Sequence, residues 1–246
     1  MKMAGQVVIV TGGGTGIGQA TSLQLAELGA KVVINYSRSR SEAEETAMHI
    51  IQKGGQAIAL QADVSQQSQV NDMVEEVIAT YGRIDGLVNN ASITRQLPFT
   101  DLDQITDEIW DELYDTNVKG MFHCAYAVAP WMQKAGQGSI INLGSIAGVT
   151  GYGSSLPYAV SKGAVHTLTK SLARALAPHI RVNCIIPGAV DTRWWTGHED
   201  KMHHLTTQLL LERISTPADI ASLICAILQQ ESMTGQCVTA DNGQTL

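Results

Sequence analysis

Tyr158 and Lys162, in the run Tyr-Ala-Val-Ser-Lys, stand four residues apart, so on a helix they share one face. A phenol beside an ammonium is a candidate acid and base. Free tyrosine has a pKa of about 10, so proton exchange near neutrality requires a lowering of about 2 to 3 pH units, equivalent to about 3 to 4 kcal/mol. One positive charge about 4 Å away, in surroundings of effective dielectric near 20, supplies about 4 kcal/mol. Tyrosine and lysine meet at this spacing in many helices by coincidence. Ser145 gives the pair its meaning: it follows Asn142-Leu-Gly just past an apolar run, where its hydroxyl can polarise a carbonyl.

The elements that must position these groups are legible as an alternation. Short apolar runs at Val7–Val10, Val32–Ile34, Ala57–Leu60, Gly86–Val88, Ser139–Leu143, Val182–Ile186 and Cys237–Ala240 predict strands covered on both faces. Between them, Gly16–Leu28, Ser41–Lys53, Gln66–Tyr81, Asp107–Lys134, Tyr158–Ala177 and Pro217–Gln229 carry helix-period apolar positions, and Ser41 with Glu44 resembles a capping box. Strand and helix in strict alternation predict an α/β fold, a doubly wound parallel sheet between two helical layers. No linker and no internal repeat is evident, so residues 1–246 are expected to form one domain. Ser145 then falls at the carboxyl edge of the sheet, where open α/β sheets hold ligands.

Thr11-Gly-Gly-Gly-Thr-Gly-Ile-Gly18 joins the first strand to the first helix, where free backbone N–H groups and the positive helix end would meet a phosphate. Gly12, Gly16 and Gly18 are spaced G-x-x-x-G-x-G rather than G-x-G-x-x-G, yet serve the same needs of tight turn and close approach, with Thr15 and Ile17 between them. A nucleoside-triphosphate loop is excluded, because Gly18 is followed by Gln19-Ala20 and not by lysine and a hydroxyl. A dinucleotide is the better ligand. At the end of the second strand, the place of an acid that would bond the adenosine ribose is read as Asn35. With no carboxylate there, and with Ser37 and Arg38 following, NADP(H) is favoured and NAD(H) is the alternative, although Arg38 reads equally as a solvated charge. An oxidised nicotinamide would add positive charge beside Tyr158, and the remaining donors of Lys162 could hold ribose hydroxyls.

Sixteen Lys and Arg against 23 Asp and Glu give a net charge of −7, which argues against a nucleic-acid binder. The run Val7–Val10 is too short for a signal-peptide core and Ile220–Leu228 too short for a membrane span. Cys124, Cys184, Cys225 and Cys237 form no CxxC pairs, so reduced thiols and a cytoplasmic location are expected. His198, His203 and His204 lack the spacing of a helical metal site, and no metal is expected.

In chain order, Thr11-Gly-x-x-x-Gly-x-Gly18, Asp63-Val64, Asn89-Asn90-Ala91, Asn117, Ser145, Tyr158-x-x-x-Lys162 and Pro187-Gly188 with Thr192 resemble the short-chain dehydrogenase/reductase family over essentially the whole chain. The resemblance implies a Rossmann-like seven-stranded sheet and hydride transfer between a nicotinamide and a ketone or secondary alcohol. It implies Asp63 and Val64 at the adenine, Asn90 and Ala91 along the cofactor, Val190 and Thr192 near the carboxamide, and Pro187 and Gly188 as further cofactor contacts. Asn117, Ser145, Tyr158 and Lys162 would form the catalytic tetrad, with Asn117 holding a water in a relay behind Lys162. Ser92 and Gly144 depart from the family pattern, which usually has glycine and often serine at those places.

Residues 193–212 are expected to form a substrate lid, in which Trp194 and Trp195 wall an apolar substrate together with Tyr152 and Leu156, or else cover a subunit contact. Leu97 and Phe99 are further candidates. Many family members reduce 3-oxoacyl groups on an acyl carrier protein, and Lys134, Lys170 and Arg174 are the basic residues such a carrier would meet. A small ketone or ring alcohol fits equally. The family's frequent homotetramers imply an oligomer. A dinucleotide-binding sensor that has lost catalysis is the rival from another class.

Overall fold

The computed structural model describes residues 2–195, 205–207 and 209–246, the side chain of Trp194 excepted. Seven parallel strands form one sheet: β1 Val7–Val10, β2 Lys31–Tyr36, β3 Gln56–Gln61, β4 Gly86–Asn89, β5 Gly138–Leu143, β6 Ile180–Pro187 and β7 Cys237–Ala240, in the order β3-β2-β1-β4-β5-β6-β7. The order reverses between β1 and β4, which opens a crevice at their carboxyl ends.

Helices cover both faces: α1 Gly16–Glu27, α2 Arg40–Gln52, α3 Gln67–Tyr81, α4 Asp107–Tyr114, α5 Gly120–Lys134, the short α6 Ala147–Thr150, α7 Leu156–Leu176 and α8 Pro217–Gln229. The strand period of two sorts side chains to the two faces. Val8 and Val10 join the layer containing Leu25, Ile50 and Ile224, from α1, α2 and α8. Val7 and Ile9 join the layer containing Val74, Val128 and Leu172, from α3, α5 and α7. Burial on both faces is why these strands read as unbroken apolar runs.

Two sequence expectations change. The single helix expected over Asp107–Lys134 is broken by a π-helical turn, Asp115–Lys119, between α4 and α5. The extra residue in that turn rotates Asn117 inward, where it is fully buried. The capping box expected of Ser41 and Glu44 does not form: Ser39 is the N-cap of α2, Ser41 bonds Glu45, and Glu44 pairs with Arg40 at 2.7 Å. All four cysteines are free, and burial pushes the Cys124 and Cys225 thiols up to about 12. Among the described residues no helix is long and apolar enough to cross a membrane.

Candidate active site

The start of α7 sets the central pair. Ser155 is its N-cap, its hydroxyl accepting from Tyr158 N at 3.3 Å, and Pro157 occupies the first turn where its missing N–H is harmless. Tyr158 therefore lies in the first turn of α7, with Lys162 one turn further on. Both are buried, and the Lys162 ammonium lies 5.8 Å from the Tyr158 ring centre while donating to Leu143 O at 2.9 Å. Ser145, between β5 and α6, hydrogen-bonds the Tyr158 side chain, and its hydroxyl also accepts from Ala147 N at 3.1 Å.

The electrostatics differ from the expectation that the ammonium alone makes the phenol acidic. Burial pushes Tyr158 up to about 12, because a phenolate loses its hydration there, and the bond with Ser145 opposes this only in part. The same burial lowers Lys162 to about 8. The lysine keeps most of its charge at neutral pH, but its ammonium is tethered to a carbonyl rather than held against the phenol.

Asn117 and Asn90 hold the flanking backbone. The Asn117 amide closes a two-way clamp on Ile93, accepting from its N at 2.8 Å and donating to its O at 3.0 Å, and also donates to Ser161 Oγ at 3.1 Å. Asn90 Nδ2 donates to Thr11 O at 2.9 Å and Gly12 O at 3.1 Å, tying the end of β4 to the glycine loop. Thr11 Oγ1 accepts from the main-chain N–H groups of Asn90 and Ala91, at 3.0 Å each.

The glycine loop fits a closely approaching dinucleotide backbone. Gly12 and Gly16 have φ of +61° and +53°, and a Cβ on Gly18 would lie 2.2 Å from Gly12 O. Gly18→Ala is accordingly expected to spread the loop and weaken dinucleotide binding by more than about tenfold, read by fluorescence titration. Unchanged affinity would show that the loop plays no part in binding.

At the tip of β2 the side chain expected to meet the adenosine ribose is engaged by the main chain. Asn35 is buried, with its side-chain amide donating to Ala62 O at 2.9 Å beyond β3, while its main-chain carbonyl accepts from Gly13 N at 3.0 Å. Its side-chain amide is thus taken up by the main chain just beyond β3. The strand ends at Tyr36, and the exposed residues that follow are Ser37 and Arg38. Asp63 caps the turn after β3, accepting from Ser65 N at 3.0 Å and Oγ at 2.8 Å, and Val64 is buried against Gly120.

A cavity of about 850 Å³ runs from the glycine loop at Thr15, Gly16 and Ile17 to Ser145, Tyr158 and Lys162. Pro187, Gly188, Val190 and Thr192 form another wall. Tyr152 and Trp195 line it, whereas Leu156 does not. Tyr152 stacks on Phe99 at 4.9 Å, and Trp195 Nε1 donates to Val190 O at 3.0 Å. Of the expected lid, 196–204 and 208, with His198, His203 and His204, lie outside the described residues, as does the Trp194 side chain. Sequence reasoning missed Ser92, Gln96, Ser154, Leu205 and Gln244, which also line the cavity. Of these, Ser154 carried a signal in its place just before the α7 cap.

Residues 6–203 match the family described as short chain dehydrogenase. The chain belongs to that family. It is 37% identical over 244 residues to a putative ketoacyl reductase 2 of granaticin polyketide synthase from Streptomyces violaceoruber, covering 98% of this chain and 96% of the other. It is 36% identical to the 3-oxoacyl-[acyl-carrier-protein] reductase FabG of Staphylococcus aureus, covering 99% of each chain. A crystal structure of a putative short-chain dehydrogenase/reductase from Burkholderia xenovorans superposes with a TM-score of 0.91 at 36% identity, covering 97% of each chain. This short-chain dehydrogenase/reductase is thus an oxidoreductase acting on ketone and alcohol groups, of a family that binds NAD(P)(H), on a Rossmann-like sheet.

Proposed function

We propose that this chain interconverts a small ketone and its secondary alcohol, with NADP(H) favoured over NAD(H) and Tyr158 as the general acid and base. The observation that carries this reading is the meeting of the Tyr158 phenol, the Ser145 hydroxyl and the Lys162 ammonium on a cavity that continues to the glycine loop. When bound, the nicotinamide supplies or takes up the hydride. In reduction, Tyr158 gives its proton to the carbonyl oxygen and Ser145 donates a hydrogen bond to the same oxygen, steadying the charge that develops there. Lys162 keeps two N–H donors beyond its bond to Leu143 O, suited to ribose hydroxyls, and its charge favours the phenolate. Asn117 backs this pair by holding Ile93 and Ser161, and, as the family resemblance implies, would keep a relay water behind Lys162.

The NADP(H) preference rests on the tip of β2, which offers Ser37 and Arg38 and no carboxylate. Arg40 is occupied by Glu44, whereas Arg38 is exposed and makes no ion pair among the described residues. The same active site fits a 3-oxoacyl-carrier-protein reductase, the activity named for the Staphylococcus aureus relative, with a carrier protein as partner. Self-association is favoured by Phe122 and Tyr126, exposed and stacked at 6.0 Å on α5, and a reducing cytoplasm suits four free thiols.

The test is an assay of NADPH and NADH oxidation against small ketones, ring ketones and a 3-oxoacyl thioester. NADPH should support turnover at least about tenfold better than NADH, and Arg38→Ala should erase most of that difference, as expected for a lost charged hydrogen bond. Turnover confined to the thioester would favour the carrier-protein reading. Dinucleotide binding without turnover across the whole panel would favour a silent sensor.

A further inference from the structure

The segment after β7 returns to the active-site cavity and is built to do so. Asp241 organises it: its carboxylate accepts from Gly243 N at 3.0 Å, Thr245 N at 2.9 Å and Thr245 Oγ1 at 2.6 Å, and its carbonyl accepts from Gln244 N at 3.1 Å. That turn presents Gln244 to the loop after β6, where Gln244 Oε1 accepts from Ala189 N at 3.0 Å. One residue earlier, Gly188 N donates to Ala240 O at 3.0 Å. The two segments interlock so closely that a Cβ on Gly188 would lie 2.8 Å from Gln244 Oε1 and 2.7 Å from Asp241 Cβ.

The neighbouring Asn242 secures the turn from the other side. Its amide donates to Arg213 O and Ser215 Oγ, both at 2.9 Å, and Ser215 O in turn accepts from Asp191 N at 2.8 Å. The loop over 188–192 is therefore held at Gly188, Ala189 and Asp191 by groups distant in sequence. Ala189 is the point at which a side chain, rather than backbone, does the holding.

We propose that Gln244 is a positioning residue: through Ala189 N it fixes the loop bearing Val190 and Thr192, and so sets where the nicotinamide half of the dinucleotide rests. This builds on the dinucleotide reading given under Proposed function. Gln244 lines the same cavity as Tyr158, Lys162, Val190 and Thr192, whereas Asp63 and Val64, expected at the adenine end, do not line it. Loss of the Gln244 acceptor strands the Ala189 N–H and frees the loop locally, so the effect is confined to the nicotinamide end.

The experiment uses whichever of NADPH and NADH the wild-type chain binds more tightly, together with its adenine fragment, 2′,5′-ADP or ADP. Each is titrated against wild type, Gln244→Met and Gln244→Glu, with thermal melts alongside. Gln244→Met, close in length but lacking the acceptor, should bind the whole dinucleotide about 3- to 10-fold more weakly. Its affinity for the fragment should stay unchanged and its Tm should fall only slightly, because the freed Ala189 N–H is half-buried and can turn to water, and Gln244→Glu, which keeps the acceptor, should restore binding to within about twofold of wild type. Equal dinucleotide affinity in Gln244→Met overturns the proposal, as does a parallel loss of dinucleotide, fragment and Tm, which would mark a purely structural role. Failure of wild type to bind either ligand overturns the dinucleotide reading itself.

Discussion

Tyr158→Phe is expected to lower kcat by about 10²- to 10⁴-fold, the usual share of a positioned acid or base. Dinucleotide affinity should remain within about twofold, since the ring and its packing on Leu113, Ala147 and Ala159 are kept and only the hydroxyl bonded to Ser145 is removed. The folded state should lose little, because a phenol raised to about 12 is neutral at every ordinary pH and contributes no ionic interaction. Stopped-flow binding with steady-state rates on one verified ketone separates the two quantities. Full turnover by the Phe variant would remove Tyr158 from the chemistry, and loss of binding in proportion to rate would make it a cofactor contact instead.

For Lys162→Met the expected result has two opposite signs. Rate should fall by about 10²-fold or more, with weaker dinucleotide binding, while the fold becomes more stable near pH 7. The lowering from 10.5 to about 8 corresponds to about 3 kcal/mol of penalty for holding the ammonium in a buried place. The folded value lies below the unfolded one. Below pH 8 both states are protonated and the whole penalty applies; from pH 8 to 10.5 the unfolded chain keeps a proton the folded chain has released, so wild-type stability rises with pH. Methionine removes the penalty along with the bond to Leu143 O, which leaves a net gain of about 1 to 2 kcal/mol at pH 7 that shrinks toward pH 10. Urea unfolding at the two pH values measures it. A variant less stable than wild type at pH 7, or a difference independent of pH, would show that Lys162 is not held at such an electrostatic disadvantage.

Much of the architecture was legible because burial leaves a simple signature. The bounds of β1, β7 and α8 agree with the sequence expectation to the residue, since each is an apolar run closed off by glycine, proline or polar residues. The π-helical turn was not legible: a single extra residue leaves apolar positions on both sides in helical register, and only the inward turn of Asn117 reveals it. The burial of Asn35 was not legible for a related reason. The sequence locates the end of a strand only to within a residue or two, and a one-residue error exchanges the two faces.

The Tyr158 and Lys162 pairing followed from spacing, but its electrostatics did not. Spacing states that two groups share a face, whereas their protonation depends on burial and on the Leu143 carbonyl that draws the ammonium aside. Gln244 lies 55 positions from Ala189, and no local pattern announces a bond of that reach. Its one trace in the sequence is the Asp241-Asn-Gly243 turn that follows β7.

The π-helical turn couples chain length to orientation. Each residue added to or taken from an α-helix rotates everything beyond it by about 100°. Deleting one residue from 115–119 would give a smoother α4–α5 rod and would swing Asn117 away from Ile93, releasing the segment that carries Ser92 and Gln96 along the cavity. Here a less regular helix is the form compatible with an assembled pocket, so a change in the number of residues is expected to cost this stretch more than a conservative substitution away from Asn117.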